Sequence, residues 1–359
     1  MPQTSPTTSA KPTCRREDAT AVLRRLRDAG FEAYFAGGCV RDLLMGLTPQ
    51  DWDVATNAQP PEILRLFPNS GLVGAAFGVV LVRQGPSTVE VATFRTDSTY
   101  TDGRRPDAVR FSTAQEDAQR RDFTINGLFY DPIDQRTIDY VGGEADVRAR
   151  ILRAIGDADL RIAEDHLRML RAVRFTARFG LNVDAATLAA IRRHRCLLQR
   201  ISPERIADEL RRMLTDATAK PAWRLLWHFG LAEVVFRGLN PPAQLDPARC
   251  VLLALDDAPA PFTLCLAAAC LSCRLQTLPA DADPRPLFTR SSARQIASAM
   301  RKALRCSNDE AHALGGSIEG IGPLLADDPP SHAILKRFLQ RSASGLSRRL
   351  LAAMGRVGC

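Results

Sequence analysis

The residues best suited to chemistry lie in one segment, YFAGGCVRDLLMGLTPQDWDVAT, at positions 34–56. Asp51 and Asp53 are two positions apart in a predicted strand, so both carboxylates leave the same face. Upstream, a short apolar strand runs into Gly37 and Gly38, which let backbone N–H groups approach a ligand closely. A helix start just after these glycines favours anionic oxygens. Two carboxylates opposite a cradle for phosphate are the groups that two-metal phosphoryl transfer requires, and Mg²⁺ prefers such oxygen ligands.

Each pattern alone also has an ordinary structural explanation, because Asp-x-Asp pairs and Gly-Gly turns are common. The glycines form neither a Walker A loop nor a dinucleotide fingerprint, since GxxxxGK[ST] and GxGxxG are both absent there. The combination is more specific: GGCVRDLLMG followed by DWDVAT resembles the signature of the polymerase-β-like nucleotidyltransferases. It is most similar to the branch that contains class II tRNA nucleotidyltransferases (CCA-adding enzymes) and bacterial poly(A) polymerases. The resemblance implies that Asp51 and Asp53 bind Mg²⁺ and that Gly37, Gly38 and Arg41 bind the nucleotide.

A third acidic residue, Glu90, lies in a predicted β-hairpin formed by FGVVLVRQ and STVEVATFR around a turn at 84–87. Strand alternation puts Glu90 and Ala92 on one face of the second strand. Glu90 is therefore either a further catalytic carboxylate beside Asp51 or an exposed strand residue. The resemblance, which implies an acidic residue in this strand, leaves both interpretations open.

The segment RRDFTINGLFYD (120–131) carries another set of polar residues, Arg121, Asp122 and Asn126. By itself it predicts a helix capped by Asp122. It also resembles the family motif RRDxxxN, which implies that Arg121 contacts the triphosphate and that Asp122 reads the ribose hydroxyls. A carboxylate suits that task because it accepts from two vicinal hydroxyl donors. In the resembled family a mobile loop occupies the place of the polar connection 96–120 and helps the site switch from CTP to ATP. Its presence here predicts that A is added.

The neck segment EDHLRMLRAVRF (164–175) has polar residues every three positions on a predicted helix: Asp165, Arg168, Arg171 and Arg174. An ordinary solvated helix face with an i,i+3 ion pair has the same spacing. The row also resembles the family motif EDxxRxxRxxRF, which implies that Asp165 and Arg168 read the base and that Arg171 and Arg174 hold the neck and the phosphates. An Asp–Arg pair accepts C and A, which carry an amino group at the pairing edge, and rejects U and G, which carry a carbonyl. We expect His166 to lie on the surface.

Charge and cysteine content limit the partners and the compartment. The 359 residues include 48 Lys and Arg against 40 Asp and Glu, a formal net charge of +8, which suits a polyanionic partner such as RNA. No apolar run approaches the roughly 18 residues of a membrane span, so no membrane contact is expected. The nine cysteines are scattered, without a secretory leader or a complete zinc-site spacing. We therefore expect a cytoplasmic protein in which Cys265, Cys270 and Cys273 are buried, reduced thiols.

The predicted fold class is α+β: a polymerase-β-like nucleotidyltransferase head with a small mixed sheet, followed by an all-α neck, body and tail. The predicted ranges are a disordered N-terminus (1–14), the head (15–155), the neck and body (156–240) and the tail (241–359). The tail is rich in arginine, which contacts RNA phosphates or forms an ordinary solvated face.

Residues and resemblance together predict an enzyme that adds CCA to tRNA 3′ ends from CTP and ATP, with Mg²⁺ as cofactor. Its partners are tRNA, or another RNA 3′ end, and the two nucleotides; no protein partner is implied. Two alternatives share every motif, a poly(A) polymerase and a specialist that adds only A. A non-catalytic RNA-binding relative is disfavoured by the intact Asp51/Asp53 and Arg121/Asp122 sets.

Overall fold

The computed structural model describes residues 14–72, 78–97, 109–279, 281–325 and 330–357. Most of the N-terminal segment predicted to be disordered, and residues 98–108 of the predicted switching loop, lie outside the described residues. The chain divides into two units, of which the first ends at Arg161 and the second begins at Ile162.

The first unit is a mixed sheet with helices packed on it. Its helices are α1 (Arg16–Asp28), α2 (Gly38–Leu44), α3 (Pro60–Leu66), α4 (Ala114–Gln119) and α5 (Gly143–Ala149), and α6 (Ala158–Glu164) crosses the division between the units. Its strands are β1 (Ala33–Ala36), β2 (Val54–Thr56), β3 (Gly71–Leu72), β4 (Val79–Gln84), β5 (Ser87–Thr93), β6 (Arg95–Asp97), β7 (Val109–Phe111), β8 (Leu128–Asp131), β9 (Arg136–Asp139) and β10 (Ile151–Leu152).

Among the described residues, the main sheet has seven strands in the order β3-β4-β5-β2-β1-β8-β9. Strands β2 and β5 are parallel, and the other neighbours are antiparallel. The predicted hairpin is confirmed, because β4 and β5 pair up to Gln84 and Ser87 around a turn with Gly85 at φ +56°. The small mixed sheet expected for the head is thereby confirmed.

Different structural elements pack against the two faces of this sheet. Helix α1 is amphipathic and packs on one face through its buried residues Val22, Leu23 and Leu26. On the other face a small cluster of buried side chains includes Phe94 and Phe129, whose rings meet edge to face at 5.7 Å. Arg121, from the second polar motif, packs against the ring of Phe129, so this apolar cluster adjoins the candidate site.

In its described residues the second unit is helical, as predicted, apart from the two-residue strand β11 (Asn182–Val183). Its helices are α7 (Arg168–Phe179), α8 (Ala185–His194), α9 (Pro203–Met213), α10 (Ala219–His228), α11 (Ala232–Val235), α12 (Phe262–Gln276), α13 (Arg290–Leu304), α14 (Asn308–Glu319), α15 (His332–Leu339) and α16 (Ser344–Arg356).

Helix α12 is apolar on all sides and is buried along most of its length. Its three cysteines are free thiols without solvent exposure, as predicted. Burial raises the pKa of Cys265 to about 11 and also raises those of Cys270 and Cys273, so all three stay protonated near neutral pH. None of the helices in the described ranges has the length and apolar character that crossing a membrane requires.

Candidate functional site

The glycine turn joins β1 to α2. Gly37 has φ +70°, a conformation that glycine adopts without strain, and its N–H donates to Leu128 O at 3.2 Å. Helix α2 begins at the next residue, Gly38. The buried Cys39 thiol follows at 3.3 Å from Ala36 O, and burial raises its pKa to about 12. Cys39 is therefore not a nucleophile at neutral pH.

The two aspartates lie immediately before β2 rather than inside it, because the strand begins at Val54. The sequence prediction placed this strand start too early. The extended conformation nevertheless reaches Asp53, whose carbonyl accepts from Ala36 N at 3.0 Å. Trp52 is buried against Phe35 at 4.8 Å between ring centroids, whereas Asp51 is exposed and Asp53 is half-buried. The alternation of side chains that the sequence predicted is thus present.

Glu90 is exposed on β5, which is the parallel neighbour of β2. The parallel register pairs Val54 with Val91. Asp53 and Glu90 immediately precede these two residues, so they occupy neighbouring positions along the two chain segments. Within the described ranges, no group of three or more His, Cys, Asp or Glu side chains is arranged to hold a metal ion. Glu90 therefore does not complete such a group with the two aspartates in this structure.

Arg41 connects the glycine helix to the second polar motif. The Arg41 side chain is buried and donates to Asp42 Oδ1 through Nε (2.9 Å) and Nη2 (2.5 Å). Its Nη1 donates to Asn126 Oδ1 at 2.7 Å, and Asn126 Nδ2 in turn donates to Asp122 Oδ1 at 3.1 Å. The structure thus brings Arg41, Asn126 and Asp122 into one hydrogen-bonded chain.

Asp122 also organises its own backbone. Its Oδ1 accepts from Phe123 N at 2.8 Å, and a single 3₁₀ turn, Thr124–Asn126, follows in place of the capped helix that the local pattern predicted. The turn stays short because the backbone on either side pairs elsewhere: Thr124 N donates to Arg153 O and Ile155 N to Asp122 O. This pairing fixes where the Asp122 carboxylate lies.

Arg121 is clamped by a residue that the sequence analysis did not single out, Asp117 on α4. Arg121 Nε and Nη2 donate to Asp117 Oδ2 at 3.1 and 2.8 Å, and Nη1 donates to Asn126 O at 3.1 Å. The guanidinium also lies 5.1 Å from the centre of the Phe129 ring. A Cβ added to Gly37 would come within 2.9 Å of Arg121 Nη1, so this glycine is what lets the arginine approach the turn.

In the neck, Asp165 does not belong to the helix that was predicted to carry it. Helix α6 ends at Glu164 and α7 begins at Arg168, and Asp165 Oδ1 accepts from Leu167 N at 3.0 Å in the bend between them. In place of an i,i+3 ion pair between Asp165 and Arg168, which an ordinary solvated helix face would form, two other pairs are present. Arg168 donates to Glu164 at 2.5 Å, and Arg205 donates to Asp165 at 2.9 Å.

Arg174 is buried and donates through Nε to Glu209 on α9 at 2.6 Å. This pair joins α7 to α9, which fits the expectation that Arg174 holds the neck. Arg171 is half-buried, with its guanidinium 5.2 Å from the centre of the Phe175 ring. His166 is not on the surface as predicted: it is buried, with Nδ1 at 3.1 Å from Ile162 O.

Two family models of known proteins match parts of this chain. Residues 33–153 match the model of the poly A polymerase head domain, and residues 180–241 match the model described as "Probable RNA and SrmB- binding site of polymerase A". Poly(A) polymerase I of Escherichia coli O157:H7 is 42% identical over 61% of this chain and 50% of its own length. The CCA-adding enzyme of Lactobacillus helveticus is 43% identical over 64% of this chain and 58% of its own length.

Over its head and part of the helical segment that follows, the chain is thus similar both to CCA-adding enzymes and to bacterial poly(A) polymerases. Among solved structures, the CCA-adding enzyme of Bacillus stearothermophilus in complex with CTP matches with a TM-score of 0.69 and 27% identity, over 94% of this chain and 77% of that one. The chain spans about half the length of the curated relatives it matches.

The sequence analysis did not single out three residues that hold these side chains: Asp117, Arg205 and Glu209. Asp117 had a local signal, because it lies three and four positions before Arg120 and Arg121, the spacing at which helical side chains meet. Arg205 and Glu209 had none, since each pairs with a residue 35 or 40 positions away.

Proposed function

We propose that this chain is a template-independent RNA nucleotidyltransferase that adds C and A, from CTP and ATP, to the 3′ end of tRNA. The observation that carries the proposal is an arrangement in the first unit. Asp51 and Asp53 immediately precede β2, which pairs with the strand that leads into the glycine turn, and Arg121 lies against that same turn. The likeness to a solved CCA-adding enzyme in complex with CTP supports the choice of substrate.

The reaction is attack of the terminal 3′-hydroxyl of the RNA on the nucleotide α-phosphate, with pyrophosphate leaving. Arg121 binds the triphosphate and Asp122, held by Asn126, accepts hydrogen bonds from the ribose hydroxyls. The exposed Asp51 and half-buried Asp53 fit Mg²⁺, which proteins often bind through one or two carboxylates together with substrate phosphates. When bound there, Mg²⁺ supplies positive charge for the phosphates and makes the attacking hydroxyl more acidic.

Base selection is assigned to Asp165 and Arg168. The Asp165 carboxylate accepts from the exocyclic amino group of C or A, and Arg168 donates to a ring nitrogen or carbonyl. Each is held by a charged neighbour, Arg205 for Asp165 and Glu164 for Arg168, which limits the positions that the pair can adopt. A base with a carbonyl in place of the amino group would leave a buried polar group unpaired, at a cost of about 1–3 kcal/mol.

The exposed face of α13 is a surface for the RNA backbone. An open depression of about 600 Å³ is lined there by Arg290, Ser291, Arg294, Gln295 and Ser298, with no acidic residue among them. Arg290 and Arg294 are both exposed, so their guanidinium groups are accessible to phosphates.

A poly(A) polymerase is the second candidate, because curated relatives with that activity in their names match this chain as well as CCA-adding enzymes do. The deciding experiment uses one tRNA prepared with three 3′ ends: before CCA, after C and after CC. Each is incubated with CTP, ATP or both in the presence of Mg²⁺.

Stepwise growth of all three tRNAs that stops after the final A supports CCA addition. One added A on the CC-ended tRNA alone indicates the A-adding specialist. Long A tails, on this tRNA and on an unstructured control RNA of the same length, indicate the poly(A) polymerase and contradict the proposal.

A further inference from the structure

Asp117 is a buried carboxylate, 2% exposed, whose two oxygens each bind a different arginine. Oδ2 accepts from Arg121 Nε and Nη2, and Oδ1 accepts from Arg120 Nε (2.9 Å) and Nη2 (2.6 Å). Two-point contacts of this kind fix the plane of a guanidinium as well as its position. Burial alone would raise the pKa of Asp117, but the two arginines hold it below its ordinary value, so the carboxylate is charged.

Arg120 and Arg121 differ in the hydrogen bonds that their remaining N–H donors make. Arg120 Nε also donates to Arg95 O at 2.9 Å, which ties this side chain to β6. Arg121 uses Nε and one N–H each of Nη1 and Nη2 for Asp117 and Asn126. With five N–H donors in all, it retains one on Nη1 and one on Nη2 for which the described residues provide no acceptor.

The remaining Nη1 donor lies beside the glycine turn, because Arg121 Nη1 is the atom that a Cβ on Gly37 would meet at 2.9 Å. The cluster also carries an excess of one positive charge, since one carboxylate faces two guanidinium groups. A guanidinium held flat, with two N–H groups directed away from its holder, fits a phosphate group.

We propose that Asp117 is a positioning residue for nucleotide binding: it holds the Arg121 fork in the orientation that meets the β- and γ-phosphates of the incoming nucleotide. Asp117 itself contacts no substrate and acts through Arg121. This inference rests on the proposed function, in which Arg121 binds the triphosphate.

The test compares Asp117→Asn with Glu116→Gln. Both replacements remove one negative charge from neighbouring positions of α4, but Glu116 pairs only loosely, at 3.6 Å, with the exposed Arg110. The dissociation constants of ATP and AMP are measured by calorimetry for the full chain. We expect Asp117→Asn to weaken ATP about tenfold, which corresponds to about 1.4 kcal/mol, and to leave AMP, which lacks the β- and γ-phosphates, unchanged. In nucleotide addition the same variant should raise KM for the nucleotide and leave kcat within about twofold.

A positioning role also predicts non-additivity. In an Arg121→Gln background, Asp117→Asn should cause no further loss of ATP affinity, because the group it positions is gone. Equal ATP affinity in Asp117→Asn and Glu116→Gln would overturn the inference, and so would equal weakening of ATP and AMP, which indicates general disruption.

If Asp117→Asn does not fold, Arg121→Lys answers the question, since lysine keeps the charge but has no fork. ATP affinity near that of the wild type in this variant would overturn the inference, and a loss as large as that of Arg121→Gln would support it. The proposed function fails separately: a wild-type chain that binds ATP but extends no RNA refutes the enzyme assignment and leaves the ATP-to-AMP comparison valid.

Discussion

Glu209→Gln should destabilise the second unit far more than its single-atom change suggests. Glu209 accepts from Arg174 at 2.6 Å, and the two side chains are only 5% and 10% exposed. Burial lowers the pKa of Arg174, and the neighbouring cations Arg171 and Arg212 lower it further, whereas Glu209 raises it. Removing the carboxylate would therefore leave a buried cation among other cations.

Breaking a buried ion pair from one side costs about 3–5 kcal/mol. The lower end applies here because the Gln amide oxygen still accepts one hydrogen bond. At roughly 2–4 °C per kcal/mol for a unit of this size, the unfolding midpoint should fall by about 6–12 °C. The pair Arg174→Met with Glu209→Met should recover most of this loss, because two apolar side chains leave no unpaired charge.

Thermal unfolding followed by circular dichroism measures the effect. Asp208→Asn is the matched control: Asp208 is the adjacent residue on α9 and pairs with Arg211 at 3.0 Å, but its side chain is 65% exposed and Arg211 keeps Glu310. We expect this control to shift the midpoint by no more than about 2 °C, as exposed ion pairs contribute little. Equal shifts for Glu209→Gln and Asp208→Asn would refute the reasoning.

Three further predictions concern the first unit and the RNA surface. Gly37→Ala should weaken ATP binding by more than Gly46→Ala, although both glycines have φ +70°, because only the first has a guanidinium within 2.9 Å of the new Cβ; equal ATP dissociation constants would contradict this. Because the pKa of Asp117 is lowered in the folded protein, this carboxylate stabilises the fold above about pH 4, and the stabilisation is lost as the pH falls through the lowered pKa. In Asp117→Asn the free energy of unfolding should therefore fall less steeply on acidification than in the wild type. Replacing Arg290 and Arg294 together with Ala should reduce the slope of log affinity for tRNA against log salt by about 1–2 units, measured by filter binding, and an unchanged slope would remove α13 from the RNA surface.

Local pattern predicted the elements that position the site. The apolar strand with its glycine turn and the hairpin that carries Glu90 are both determined by residues close together in the sequence, and both are present. Side-chain alternation also predicted that Asp51 and Asp53 would face away from Trp52. These features depend on contacts within a few residues, which periodicity reports directly.

Local sequence patterns did not predict contacts between residues that are far apart in the sequence. The three-residue spacing continued the neck helix through Asp165, but the Asp165 carboxylate accepts from Leu167 N and pairs with Arg205, and the chain bends there. His166 was also expected on the surface, yet it is buried, with its ring Nδ1 close to Ile162 O only four residues earlier. For Asp165, the partner Arg205 lies 40 residues away, and the spacing within the motif does not reveal it.

The central claim is that the carboxylates of Asp51 and Asp53 support nucleotide addition. The most direct measurement is incorporation of labelled nucleotide into a tRNA that lacks its 3′ end, by the wild type and by Asp51→Asn with Asp53→Asn, with thermal unfolding of both proteins and calorimetric Mn²⁺ binding measured alongside. The account predicts addition by the wild type, loss of at least about a thousandfold in the double variant, loss of metal binding and an unchanged unfolding midpoint. Appreciable addition by a folded double variant would contradict it.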